Sequence, residues 1–234
     1  MGRDVVAAAC RPVRSTHPQV DWSQVDGAQP GRWTVEKLTK DDWPVLRQVR
    51  LRSLDTSPDE LGGDRKVTAQ YGEREWRELF QQGTWFVANE AGAPIAVAAL
   101  NASAFIFPHE CTKLRMPHPH LEALWVDPLH RRRGIAQALV KATVTEAATR
   151  GAPAIGLWVF EKNIHAADWF EKNCKFSPRD HKPQRYRGEP RRQWWRRHRR
   201  EYHMHRLITR ADEPRQSIDP RAVLNSATES QTVR

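Results

Sequence analysis

Residues 130 to 140 read HRRRGIAQALV, three arginines against a glycine and then an apolar run. Two chemistries fit such a stretch. Clustered arginines neutralise the phosphates of a nucleic acid backbone. A glycine at a helix start instead lets backbone amides close on a phosphate of a small ligand, with no Cβ in the way. The preceding residues 121 to 128, LEALWVDP, read as a strand, and the helix begins near Gly134. Its apolar positions Ile135, Ala138, Leu139 and Ala142 fall at i, i+3, i+4 and i+7, one helical stripe. A strand that turns straight into a helix presents first-turn amides without partners and the positive end of the helix dipole. Ala136 keeps the next position small, and Arg131, Arg132 and Arg133 add charge in front of the amides. The context favours the phosphate lip.

Two other constellations carry chemistry. His109, Cys111, His118, His120 and Glu122 invite a zinc reading, but their spacing matches no established ligand pattern, and no metal is expected. RRQWWRRHRREYHMHR interleaves arginines with Trp194 and Trp195, which suits stacking on single-stranded nucleic acid, a solvated connection, or a wall for an anionic acceptor. The charge of the chain sits mostly here. Of the net +10, the stretch from Arg179 to Arg210 carries twelve Lys and Arg against three acids. Such a field attracts nucleic acid or an anionic ligand and does not bear on fold.

The elements that must hold these groups alternate along the middle of the chain. RWTVEKL reads as a strand. TKDDWPVLRQVRLRSL opens with a capping box of Thr39 and Asp42 and places Val45, Leu46 and Val49 on one helical face. EREWRELFQQG is a second helix. TWFVANE and IAVAALNAS form a hairpin across AGAP, and residues 105 to 119 form a Pro/His-rich loop. HLEALWV, the helix from Gly134 to Gly151, AIGLWVF, the helix NIHAADWFEKN and a last strand REYHMHRLI follow. A strand–helix–strand unit demands a parallel pair, so the fold class is α/β on one mixed sheet. Residues 1–30 and 211–234 are polar and aperiodic and read as mobile tails around a domain at 31–210. The longest apolar runs fall well short of a membrane span. Cys10, Cys111 and Cys174 form no CxxC pair, which fits a reducing, cytoplasmic setting.

These residues in this order resemble the GNAT superfamily of N-acetyltransferases. RRRGIA matches its (Q/R)-x-x-G-x-(G/A) motif after a strand ending Val126-Asp127-Pro128, and NIHAADWFEKNCKF matches its N-x-x-A-x-x-x-Y-x-K-x-G-F block at Asn163, Ala166 and Lys172. The likeness spans roughly 32 to 210. It implies a mixed, mostly antiparallel sheet whose central parallel pair splays to admit acetyl-CoA. The pyrophosphate would sit on the amides of residues 131 to 136, including Gly134, Ile135 and Ala136. The pantetheine would pair with the backbone of Leu124, Trp125 and Val126, and Asn163 would touch the cofactor arm. The arginines would reach the 3′-phosphate.

Acetyl transfer needs a neutral amine, a stabilised oxyanion and a thiolate able to leave. His120 and Glu122, two apart on one strand, share a face, and Leu124 and Val126 continue it toward the cofactor. Either His120 or Glu122 suits the base, and the Val126 amide suits the oxyanion by resemblance. One departure stands out. Phe170 occupies the position of the family's Tyr acid, leaving Cys174, Tyr186 or Tyr202 as substitutes or an unassisted thiolate. The expected activity is acetyl-CoA-dependent acetylation of a primary amine, an anionic one included, by direct attack in a ternary complex. The alternative is a binding module of the same fold, with weak or lost catalysis, whose basic segment docks nucleic acid or an acidic partner. No membrane partner is expected, and a homodimer is compatible with either.

Overall fold

The computed structural model describes residues 33–101, 118–177, 184–185 and 200–214. Its first elements follow the expected caps. The Thr39 amide and hydroxyl both donate to Asp42 Oδ2, at 2.8 and 2.7 Å, and close one 3-10 turn that runs into α1 (Trp43–Thr56). A strand, β1 (Thr34–Lys37), precedes it, and α3 (Glu73–Gln82) ends directly in β2 (Gly83–Glu90). Between the helices lies α2 (Arg65–Ala69), which the sequence pattern does not anticipate. It is a five-residue helix held by Asp64, whose carboxylate accepts from the amides of Lys66 and Val67. The hairpin to β3 (Ala93–Asn101) turns on two residues rather than four. Ala91 at φ 50° and Gly92 at φ 80° supply the two positive angles of such a tight turn.

The second half continues as β4 (His120–Val126), α4 (Ile135–Thr149), β5 (Ala154–Phe160), α5 (Ile164–Cys174), the two-residue β6 (Gln184–Arg185) and β7 (Arg200–Leu207). The strands form one sheet in the order β1-β2-β3-β4-β5-β7-β6. Every pairing is antiparallel except β4 with β5. This is the mixed α/β architecture that the sequence leads one to expect.

Helices cover both faces. On one, Ile135, Ala138, Leu139 and Ala142 of α4 are buried against Phe86, Leu121, Leu157 and Met204. On the other, Leu46 and Val49 of α1 and Trp76 of α3 pack on Trp85, Val87, Val97 and Trp125. Each fully buried Leu or Val stabilises the fold by about 1.5–3 kcal/mol. Alternate residues of β2 therefore point into different cores, as a sheet covered on both sides requires. Among the described residues no helix is long and apolar enough to cross a membrane.

Two expectations need adjustment. Residues 211 and 212 belong to the folded part, because a 3-10 turn at Arg210–Asp212 pairs Asp212 with Arg206 of β7. More consequentially, β4 does not keep one alternation. Val97 and Ala99 of β3 oppose Trp125 and Glu122, so three steps of β4 match two of β3. The extra residue makes a bulge at Ala123, with φ 54°. Leu124 and Val126 consequently face the α4 core, while Glu122 and Trp125 face the α1 side. Leu124 and Val126 thus do not continue the face of His120 and Glu122, since a single inserted residue exchanges the faces.

Candidate functional site

The parallel strands β4 and β5 are in register only at His120 with Gly156 and Leu121 with Leu157. Beyond Leu121 they part. The gap opens into a cleft of about 1270 Å³, walled by Glu122 to Val126 on one side and Leu157 to Phe160 on the other. Its floor is the start of α4, with Gly134, Ile135, Ala136 and Gln137 all in the lining.

The loop from β4 into α4 is fixed from behind. Asp127 is buried, accepts from the Leu129 amide at 2.9 Å and pairs with Arg52 of α1. Its own amide donates to the Ile95 carbonyl at 2.9 Å. Arg132 then adopts φ 64° and Gly134 φ 78°, both left-handed. Gly134 is the N-cap residue of α4. Left-handed residues in such a turn draw consecutive N–H groups into a concavity that suits an anion, and the amides of the first helical turn add to it. The glycine accommodates its angle at little cost, whereas a Cβ would strain it.

The three arginines part company here. Arg132 lines the cleft. Arg131 also lines it, while its Nε donates to the Val126 carbonyl at 3.2 Å and holds the loop to the end of β4. Arg133 turns to the β2–β3 hairpin. Its Nη2 and Nη1 donate to the two carboxylate oxygens of Glu90 at 2.7 and 3.1 Å, and its side chain is absent from the cleft wall. This bidentate pair raises the Arg133 pKa above its ordinary value, chiefly through the hydrogen bond to Glu90. Asn163 caps α5, its Oδ1 accepting from the Ala166 amide at 3.2 Å, and the residue borders the cleft. The cap uses only the oxygen of that side chain.

At the opposite end stands Glu122. Its side chain lines the open cleft and meets solvent, yet protein surrounds it closely enough that desolvation raises its pKa above the usual carboxylate range. Asn101 Nδ2 donates to its Oε1 at 3.1 Å and opposes the rise, as does the charge of Arg50. Asn101 and Arg50 escape sequence reasoning, because only the β3–β4 pairing and the packing of α1 bring them near. Arg50 is itself held, with Nη2 donating to the Gly62 carbonyl at 2.6 Å.

His120 shares that face of the strand but not the cleft. It is 2% exposed, lies outside the cleft lining, and packs against the rings of His118, His203 and Trp158. Burial, assisted by His118, pushes its pKa down to about 4. Of the two titratable groups on β4, Glu122 is therefore the one that a molecule in the cleft can meet.

The alternative proton donors fare differently. Phe170 lines the cleft and packs edge-on to Trp169 and Phe176, an apolar corner of the α4 core. Cys174 is buried, its thiol pushed up to about 12 by burial, and neither it nor Tyr202 lines the cleft. Tyr186 lies outside the described residues, as do His109, Cys111, Trp194, Trp195 and most of the basic segment.

Comparisons with known proteins bear on this geometry. The acetyltransferase (GNAT) family model matches residues 46–176, from α1 to the end of the Asn163 block. No curated protein matches the chain by sequence. Among solved structures, a GNAT acetyltransferase from Streptococcus pneumoniae superposes with TM-score 0.56 at 17% identity, covering 76% of this chain and 99% of that one. A spermidine N-acetyltransferase from Vibrio cholerae, in complex with CoA and spermine, gives 0.52 at 17% identity, covering 76% and 96%. A ribosomal-protein-alanine N-acetyltransferase from Brucella melitensis gives 0.51 at 15% identity, covering 74% and 99%. These similarities share a fold with the present chain, and the family match spans more than half of its length. The chain belongs to the GNAT acetyltransferase family.

Proposed function

We propose that this chain transfers the acetyl group of acetyl-CoA to a primary amine, by direct attack while both substrates are bound. The observation that carries the reading is the arrangement along one cleft. A left-handed turn leading into the glycine-capped start of α4 forms its floor, and a carboxylate, Glu122, faces it beyond the splay of β4 and β5. The family match supports the acetyl donor, and the solved neighbours include enzymes of spermidine and of ribosomal-protein alanine, both amines.

In this reading the phosphates rest on the amides of residues 131 to 136, with Arg131 and Arg132 supplying charge. Arg133 contributes its backbone, since its side chain is committed to Glu90. Asn163 meets the cofactor arm, and the backbone of Leu124 to Val126 pairs with it as an added strand would. The bulge at Ala123 suits this role, because it turns the strand at the splay. The thioester supplies an activated acetyl group. Glu122 takes the amine proton, directly or through one water, as the nitrogen bonds to the acetyl carbon and the carbon–sulfur bond breaks. CoA leaves as a thiolate. Its pKa of about 8.5 lets it depart without a protein donor, in keeping with Phe170 at the position where a Tyr would stand. The amide of Val126 is the candidate donor to the oxyanion.

Calorimetric titration with acetyl-CoA, with dephospho-CoA as comparison, is the direct test, followed by release of free thiol in the presence of an amine panel. Micromolar binding and amine-dependent thiol release are expected. Absence of binding by folded protein would refute the reading.

A further inference from the structure

Three histidines far apart in the sequence meet on the α1 side of the sheet. His118 lies just before β4, His120 opens it, and His203 stands in β7 opposite Trp158 of β5. All are buried, at 3%, 2% and 7% exposure. One ring nitrogen of each lies within 4.8 Å of the others, and His118 Nε2 is 3.5 Å from His203 Nε2. His118 and His203 stand at hydrogen-bond distance, and two imidazole nitrogens bound to one tetrahedral ion at about 2.0–2.1 Å stand about 3.3–3.4 Å apart, so this pair is already close to the spacing of two ligands on a common ion.

A second observation bears on the same point. Gly156 of β5 pairs with His120 in the parallel register. A Cβ built there would lie 2.7 Å from His118 Nε2, from His120 Cδ2 and from His203 Nε2. The three rings therefore converge over a position that only glycine can occupy. Trp158 closes one side, with its ring centroid 4.8 Å from that of His203 and 6.5 Å from that of His120. The sequence groups His118 and His120 with His109, Cys111 and Glu122, a set whose spacing matches no ligand pattern and for which no metal is expected, and it leaves out His203.

We infer that His118, His120 and His203 bind one divalent transition cation of the zinc class. Neutral imidazoles favour zinc, nickel and copper over magnesium or calcium, and a three-histidine set leaves a fourth position for water or another donor. The ion would tie the entry of β4 to β7 beside the point where β4 and β5 part. Among the described residues, none of the three histidines lines the cleft, so the site is separate from the acetyl-transfer machinery and does not depend on it.

The test uses the full chain, free of any histidine tag and stripped with a chelator. Zinc alone is titrated, and bound metal is measured after gel filtration. About one zinc per chain is expected, with a rise in Tm and at least tenfold weaker binding in His203→Gln and in His118→Gln. Should those variants fold poorly, the cobalt-loaded native chain supplies the reading through paramagnetically shifted imidazole N–H resonances from three histidines. Uptake below about 0.1 zinc per chain would overturn the inference. So would unchanged affinity in both folded variants, or cobalt-shifted resonances from fewer than three histidines.

Discussion

The two ends of the cleft are built from different materials. At the α4 end the surface is backbone: a turn with Arg132 and Gly134 in left-handed conformations, followed by the first amides of a helix whose stripe is buried in the core. At the Glu122 end the surface is side chains, namely Glu122 itself, the Asn101 that donates to it and the Arg50 whose charge reaches it. A backbone surface is fixed by the fold and tolerates most side-chain exchanges. A side-chain surface depends on a few atoms and on their protonation. Damage to the first end should therefore appear in cofactor affinity, and damage to the second in turnover.

The largest effect is expected at Gly134. In Gly134→Asp, the left-handed angle costs about 1–2 kcal/mol for a residue with a Cβ, and a carboxylate enters a site that suits an anion. Acetyl-CoA should bind at least ~100-fold more weakly by calorimetry while the circular dichroism spectrum stays native, the loss being about 2.7 kcal/mol or more. Gly134→Ala carries only the strain and should lose about tenfold. Wild-type affinity in a folded Gly134→Asp protein would sink the backbone account of this end.

Glu122→Gln comes next and should break the comparison the other way. Turnover should fall by about 10²- to 10⁴-fold, the range that a general base supplies, with acetyl-CoA affinity unchanged. A drop in affinity as large as the drop in kcat would mean that the two ends are one site. Asn101→Ala is milder. It removes a 3.1 Å hydrogen bond that orients Glu122 without removing the carboxylate. A loss of about three- to tenfold in kcat is expected from one such bond, with the cofactor Kd unmoved.

What sequence could show of these ends follows from the same difference. The α4 end is local: strand, turn, glycine and helical stripe all lie between His120 and Ala142, so periodicity and turn chemistry reveal them. Ile135, Ala138, Leu139 and Ala142 are all buried, as their spacing implies. The Glu122 end is assembled across strands. Nothing in the sequence marks Asn101 as the partner of Glu122, or His203 as the neighbour of His118 and His120, because sheet pairing alone brings them together. The bulge is silent for another reason. Its left-handed residue is Ala123, not a glycine, so the exchange of faces leaves no trace in the pattern. The helix α2 is too short for a period, and its only sign is the capping carboxylate of Asp64.

The smallest effect is expected where sequence reading treats three arginines as one feature. Arg133 makes a bidentate, partly exposed pair with Glu90 of the hairpin, 31% and 21% exposed respectively. Such a pair is worth about 1 kcal/mol or less, discounted for the solvent that reaches it. Arg133→Ala should therefore lower Tm by at most about 2–4 °C and leave acetyl-CoA affinity within about twofold, since the backbone amide of residue 133 is retained. Arg132→Ala should do the reverse, because its side chain lines the cleft and makes no ion pair among the described residues. Its Tm should hold while affinity falls several-fold, and the salt dependence of binding should flatten as one phosphate contact is lost. Equal losses of affinity in the two variants would show that the guanidinium of Arg133 leaves Glu90 when the cleft fills, and that the floor of the cleft is partly side chain after all.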